Sequence, residues 1–103
     1  MINILGAQYK IENDTSSAMD NYDGVCDRDA KIITTNFDDD RKADERCTKN
    51  YEEFKRRILR HEIMHAVFHE CGLSKYAEDE ILVELLAIQF PKIVSAMKEG
   101  GAL

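Results

Sequence analysis

In the stretch His61-Glu62-Ile63-Met64-His65 two imidazoles stand four residues apart, with a carboxylate directly after the first. On a helix this spacing rotates the second side chain by only about 40° from the first, so both rings leave one face, one turn apart. Such a pair can grip one metal ion. Zinc takes imidazole nitrogen at about 2.0–2.1 Å, and catalytic zinc usually has three protein ligands and one position left for water. Glu62 lies beside the pair, can reach that water without binding the ion, and is the expected general base. All three histidines of the chain fall between positions 61 and 69, a clustering that helix formation does not require. The competing reading is two core histidines bonded to carboxylates or carbonyls. The pair falls on the stripe continued by Phe54, Ile58 and Phe68, where a buried polar group without a partner costs roughly 1–3 kcal/mol; a metal would be a good partner there.

Two ligands make a weak site, so a third is expected from outside this turn. The acidic residues Glu78, Glu80 and Glu84 follow Gly72, which can turn the chain back. Glu80 and Glu84 share a helix face at four-residue spacing, so one can bind zinc while the other orients the second ring N–H of a histidine ligand. Glu80 is the expected ligand and Glu84 the orienting carboxylate, with Glu84 or Glu78 the alternative ligand. His69 is two turns and about 12 Å along the axis from His61, too far for one straight helix to bring all three histidines to one ion. It is therefore expected near substrate or at the exposed helix end. Tyr76 and Tyr51 are candidate donors to a developing oxyanion, against ordinary packing.

These residues need elements to hold them. Ile2-Asn3-Ile4-Leu5 and Gln8-Tyr9-Lys10-Ile11 alternate around Gly6 and predict strands; residues 13–23 are polar and turn-rich. Gly24-Val25-Cys26, a turn at Asp27-Arg28-Asp29, and the β-branched run Ala30 to Thr35 predict two more strand segments. The sum is a small antiparallel sheet of about three strands, which needs a helix on one face. Asp38-Asp39-Asp40 can seed a helix N-terminus, with helix or ordered loop both open for Asn36 to Lys49. Asn50 and Glu53 predict a capping box, and Tyr51, Phe54, Ile58, His61, His65 and Phe68 a helix from Tyr51 to Cys71. Gly72 is its expected left-handed cap, with Leu73 making the apolar contact. A second helix is predicted from Lys75 to Phe90, with Ser74 as N-cap and Ile81, Leu82, Leu85, Leu86 and Ile88 as its apolar positions. Pro91 should stop or kink it, with Ile93 to Met97 able to resume, and the tail from Gly100 should fray.

With 103 residues the chain is one α+β domain, strand-rich over 1–36, with the paired-histidine helix over 50–71 and the third-ligand helix over 75–97. Hydrophobic residues at 44% against charged ones at 33% are a globular balance. The net charge of −6 argues against a nucleic-acid partner. The one basic cluster, Lys55-Arg56-Arg57 with Arg60, stands among Glu52, Glu53 and Glu62 and reads as a salt-bridged face. No run approaches the ~18 apolar residues of a membrane span and no basic-then-apolar leader opens the chain, so a cytoplasmic protein with no membrane partner is expected. Cys26, Cys47 and Cys71 form no Cys-x-x-Cys pair, fit a reducing compartment and read as ordinary thiols, Cys26 and Cys71 partly buried.

Arg60-His61-Glu62-Ile63-Met64-His65-Ala66 followed by Asp79-Glu80-Ile81-Leu82-Val83-Glu84-Leu85-Leu86-Ala87-Ile88-Gln89-Phe90-Pro91 resembles the small HExxH proteins encoded by phages and prophages of Gram-positive bacteria, grouped with the ImmA/IrrE-type zinc metallopeptidases. The likeness covers about Phe54 to Pro91. In the wider gluzincin group a Glu on a later helix is the third ligand and an acidic residue four positions on supports a histidine, a pattern that Glu80 and Glu84 match. The resemblance implies a minimal zincin fold, a sheet edge that accepts an extended peptide, and hydrolysis of a protein or peptide in the host bacterial cytoplasm. The rival expectation is a non-catalytic zincin-like module that uses zinc for stability or a sheet edge for a partner.

Overall fold

The computed structural model describes residues 1–38 and 50–103. The expectation for Asp39 to Lys49, including most of the Asp38-Asp39-Asp40 run and Cys47, lies outside the described residues. Strands β1 (Ile2–Ile4) and β2 (Ala7–Asn13) form a hairpin across Leu5 and Gly6. Both turn residues have positive φ, 52° and 94°, the conformation whose twist matches a two-residue hairpin. After the 14–23 connection, which includes a 3-10 turn at Ser17–Met19, come β3 (Gly24–Asp27) and β4 (Ile32–Thr35). Asp27 Oδ1 closes the β3–β4 turn by accepting from the backbone N–H of Asp29 at 3.0 Å and of Ala30 at 2.9 Å.

The α+β class holds, but the sheet is not the three-stranded antiparallel one expected. It has four strands in the order β1-β2-β4-β3, and β4 runs parallel to β2, from Lys10 beside Ile32 to Asn13 beside Thr35. The 14–23 connection carries the chain past the position next to β2, and the β3–β4 turn returns it into that position. Alternation of apolar residues marks strands but not their neighbours. β3 is left at an edge.

One face of the sheet packs on α1 (Tyr51–Glu70) through Ile4, Tyr9, Ile33 and Ala66, with Cys26, Leu59, Ile63 and Val67 around them. Tyr51, Phe54 and Ile58 form a second cluster with Phe37. Asn50 caps α1 by accepting from the backbone N–H of Glu53 at 3.2 Å. At the other end Leu73 N–H reaches Phe68 O at 2.8 Å and Gly72 N–H reaches His69 O at 3.0 Å, with Gly72 at φ 75°. These are the paired bonds of a glycine-terminated helix.

The predicted second helix is divided. Ser74–Ala77 is a single turn, α2, and the long helix α3 spans Glu80–Glu99 with Asp79 as its cap, accepting from Leu82 N–H at 3.0 Å. Its buried residues are Val83 and Ala87; Ile81, Leu85 and Ile88, expected inside, are exposed. Small side chains at 83 and 87 let α3 approach α1 closely, and this decides the inward face. Pro91 does not stop α3. The tail is closed instead of frayed, with Gly101 at φ 73° and Ala102 N–H on Met97 O at 2.8 Å. Cys26 is half-buried, whereas Cys71 is exposed, contrary to expectation. Among the described residues no helix is long and apolar enough to cross a membrane.

Candidate metal centre

The helix α1 offers His61 and His65 from adjacent turns toward the start of α3, where Glu80 is the first residue. Their polar atoms converge. His61 Nε2 lies 2.9 Å from Glu80 Oε2, His65 Nε2 lies 3.0 Å from Glu80 Oε1, and the two Nε2 atoms are 3.2 Å apart. Among the described residues, His61, His65 and Glu80 are the group of three metal-ligating side chains that meet at one place.

Zinc fits this donor set. Two nitrogens at about 2.0–2.1 Å from one tetrahedral ion stand about 3.3 Å apart, close to the 3.2 Å found. Hydrogen bonding alone serves the group poorly, because His61 Nε2 faces both Glu80 Oε2 and the other imidazole nitrogen. A second sign comes from Glu84. Its Oε2 accepts from Arg57 at 3.0 Å, while its Oε1 is buried with no hydrogen-bond partner among the described residues and lies 3.7 Å from His61 Nδ1. When Nε2 gives its lone pair to a metal, the ring proton must reside on Nδ1. An N–H there would face Glu84 Oε1, which at 3.7 Å stands just beyond hydrogen-bond distance. Glu80 stands in the cluster and Glu84 beside His61, while Glu78 is not in the cluster.

Glu62 continues the buried stripe Phe54, Ile58 along α1 and is 6% exposed. It forms part of the lining of a cleft of ≈ 380 Å³ shared with His61, His65, His69, Glu80, Tyr22 and the edge residues Gly24 to Cys26. Burial pushes its carboxyl up to about 7; His61 opposes the rise, and Glu80 and Glu84 add to it. A Cβ on Gly24 would stand 2.9 Å from Glu62 Cγ, so the glycine in β3 is what lets this carboxylate sit against the strand. Cys26, also in the cleft, has its thiol pushed up to about 11 by burial and then by the charge of Glu62.

His69 borders the cleft but is outside the ligand cluster. Its Nδ1 is 3.3 Å from Ser74 Oγ and 3.4 Å from an Arg28 nitrogen, and burial followed by the Arg28 and His65 charges holds its pKa below the usual histidine value. The proposed tyrosines are elsewhere. Tyr76 packs against Phe68 at 6.2 Å between ring centroids, and Tyr51 stacks on Phe54 with its hydroxyl donating to Asp38 O. The phenol at the cleft is Tyr22, which sequence reasoning missed. Its backbone carbonyl accepts from Asn36 at 3.2 Å while the residue stays exposed. Nothing in its polar, turn-rich surroundings signals this, because only the 14–23 crossing brings it over α1.

No family model, curated protein or solved structure matches the chain.

Proposed function

We propose that the protein is a zinc-dependent metallopeptidase of the ImmA/IrrE-like kind, hydrolysing a peptide bond in a protein or peptide in the cytoplasm of a bacterial host. The observation that carries this reading is the pairing of two unlike parts in one cleft. Three ligand-type side chains converge, and a buried carboxylate outside that cluster borders the same space. A purely structural zinc site is closed by four ligands and needs no such carboxylate.

Zinc held by His61, His65 and Glu80 would supply Lewis acidity to a scissile carbonyl and to a water beside it. Glu62 takes a proton from the attacking water at its carboxylate oxygen and delivers it to the leaving amine, so that two peptides result. Glu84, anchored by Arg57 and 3.7 Å from His61 Nδ1, would orient that ring by accepting its N–H. Strand β3 borders the cleft as a sheet edge, which suits an extended peptide added as a further strand.

Elemental analysis of untagged, zinc-replete protein and of His65→Ala, together with peptide-library hydrolysis by wild type and Glu62→Gln, tests the proposal. Stoichiometric zinc lost in His65→Ala, and cleavage lost in Glu62→Gln with zinc kept, are expected. Wild type without zinc removes the metal site; zinc without cleavage leaves a non-catalytic zinc module.

A further inference from the structure

The two arginines on α1 that face α3 do not make the same kind of contact. Arg57 donates to the Glu84 carboxylate at 3.0 Å, whereas Arg60 donates through Nε to the backbone carbonyl of Ala87 at 2.6 Å. A carbonyl in the middle of a helix is normally taken by the N–H four residues on. For Ala87 that residue is Pro91, which has no N–H. The proline therefore frees an inward-facing acceptor, and Arg60 takes it. Ala87 is fully buried, and Arg60 is braced from its other side by Glu53 at 2.9 Å.

Glu84 and Ala87 are three residues apart on α3, as Arg57 and Arg60 are on α1, so the two bonds fix both the rotation and the axial position of α3. Glu80 lies one turn before Glu84 on the same helix. Its carboxylate can meet His61 and His65 only while that position holds, because at 66% side-chain exposure it has little packing of its own.

We propose that Pro91 and Arg60, acting with Arg57, are positioning residues that set Glu80 into the metal centre and thereby set its zinc affinity. This rests on the metal-site reading above. Pro91 acts by leaving a hydrogen bond unmade within α3, so a substitution that improves the helix should weaken the site. A proline with only local structural consequences would not behave this way.

The test is zinc affinity, by competition with a chromophoric chelator, for wild type, Pro91→Ala, Arg60→Ala and the double variant, alongside thermal unfolding of each metal-free form. Arg60→Ala should bind about tenfold more weakly, at the lower end of what partners of metal ligands contribute, and Pro91→Ala about threefold more weakly, because its restored N–H shares the Ala87 carbonyl. Pro91→Ala should melt no lower than wild type, and the double variant should bind no more weakly than Arg60→Ala, since both changes act on one bond. If Arg60→Ala does not fold, Pro91→Ala alone decides. Wild-type affinity in Pro91→Ala, or losses that add in the double variant, overturns the clamp and leaves the metal site standing. A wild type that binds no zinc overturns both.

Discussion

Replacing Glu62 by Gln should stabilise the metal-free protein, and should do so increasingly as the pH rises. Glu62 is 6% exposed and burial lifts its carboxyl from an ordinary 4.5 to about 7. The folded state therefore holds this proton more tightly than the unfolded chain. Stability contributed by the protonated form is full below 4.5 and is lost as the pH rises through about 7. A rise of this size corresponds to about 3 kcal/mol once the group is ionised in both states, most of which develops between pH 5 and pH 8. Gln carries no such charge. Urea unfolding of chelator-treated wild type and Glu62→Gln across that range should show the stability gap between them widening by about this amount, with the variant the more stable. Differencing removes the titrating groups not coupled to Glu62, His69 among them, since both proteins share them. A gap that stays constant from pH 5 to pH 8 would refute the claim that Glu62 is held desolvated in the cleft. With zinc bound the gap should shrink, because a nearby divalent cation favours the ionised carboxylate.

Three further outcomes follow from the geometry. Glu84→Gln should weaken zinc binding about 10–100-fold, as loss of an orienting carboxylate does, because the amide has one acceptor oxygen and cannot face both Arg57 and His61 Nδ1 with one; chelator competition measures this. Gly24→Ala places a methyl 2.9 Å from Glu62 Cγ; it should leave zinc bound while cleavage of any identified peptide falls about tenfold or more, since a misplaced catalytic group loses rate before the fold is lost. Gly72→Ala forces a side chain onto the φ of 75° that ends α1; urea unfolding should show a loss of about 1–2 kcal/mol.

The parts of this protein that local rules govern were legible in its residues. The Asn50 cap, the Gly72 terminator and the hairpin around Gly6 each follow from one or two side chains, and each is found. The same is true of the side-chain cluster. Spacing on one helix brings His61 and His65 together whatever surrounds them, and the face shared by Glu80 and Glu84 is likewise a matter of helical period. Misreadings arose where two local signals competed. Ser74, expected as the cap, is instead the first residue of α2 behind Leu73 and turns its hydroxyl to Arg28 and His69, while Asp79 caps α3. Ile81, Leu85 and Ile88 form an apolar stripe, yet close approach at Val83 and Ala87 turned another face inward.

What the sequence by itself determined is the chemistry available: two imidazoles, a neighbouring carboxylate and two helix-borne glutamates at spacings a metal can use. Tertiary structure decided how that chemistry is assembled. It set β4 parallel to β2 and left β3 at the edge beside the cleft, brought Tyr22 rather than Tyr76 to the opening, and gave Glu62 the burial that raises its pKa. It also made Pro91 a docking feature instead of a helix stop, through Arg60. The physical reason is common to all of these. Periodicity and capping act over one or two turns of chain, whereas desolvation, sheet order and helix docking depend on which distant segment arrives alongside.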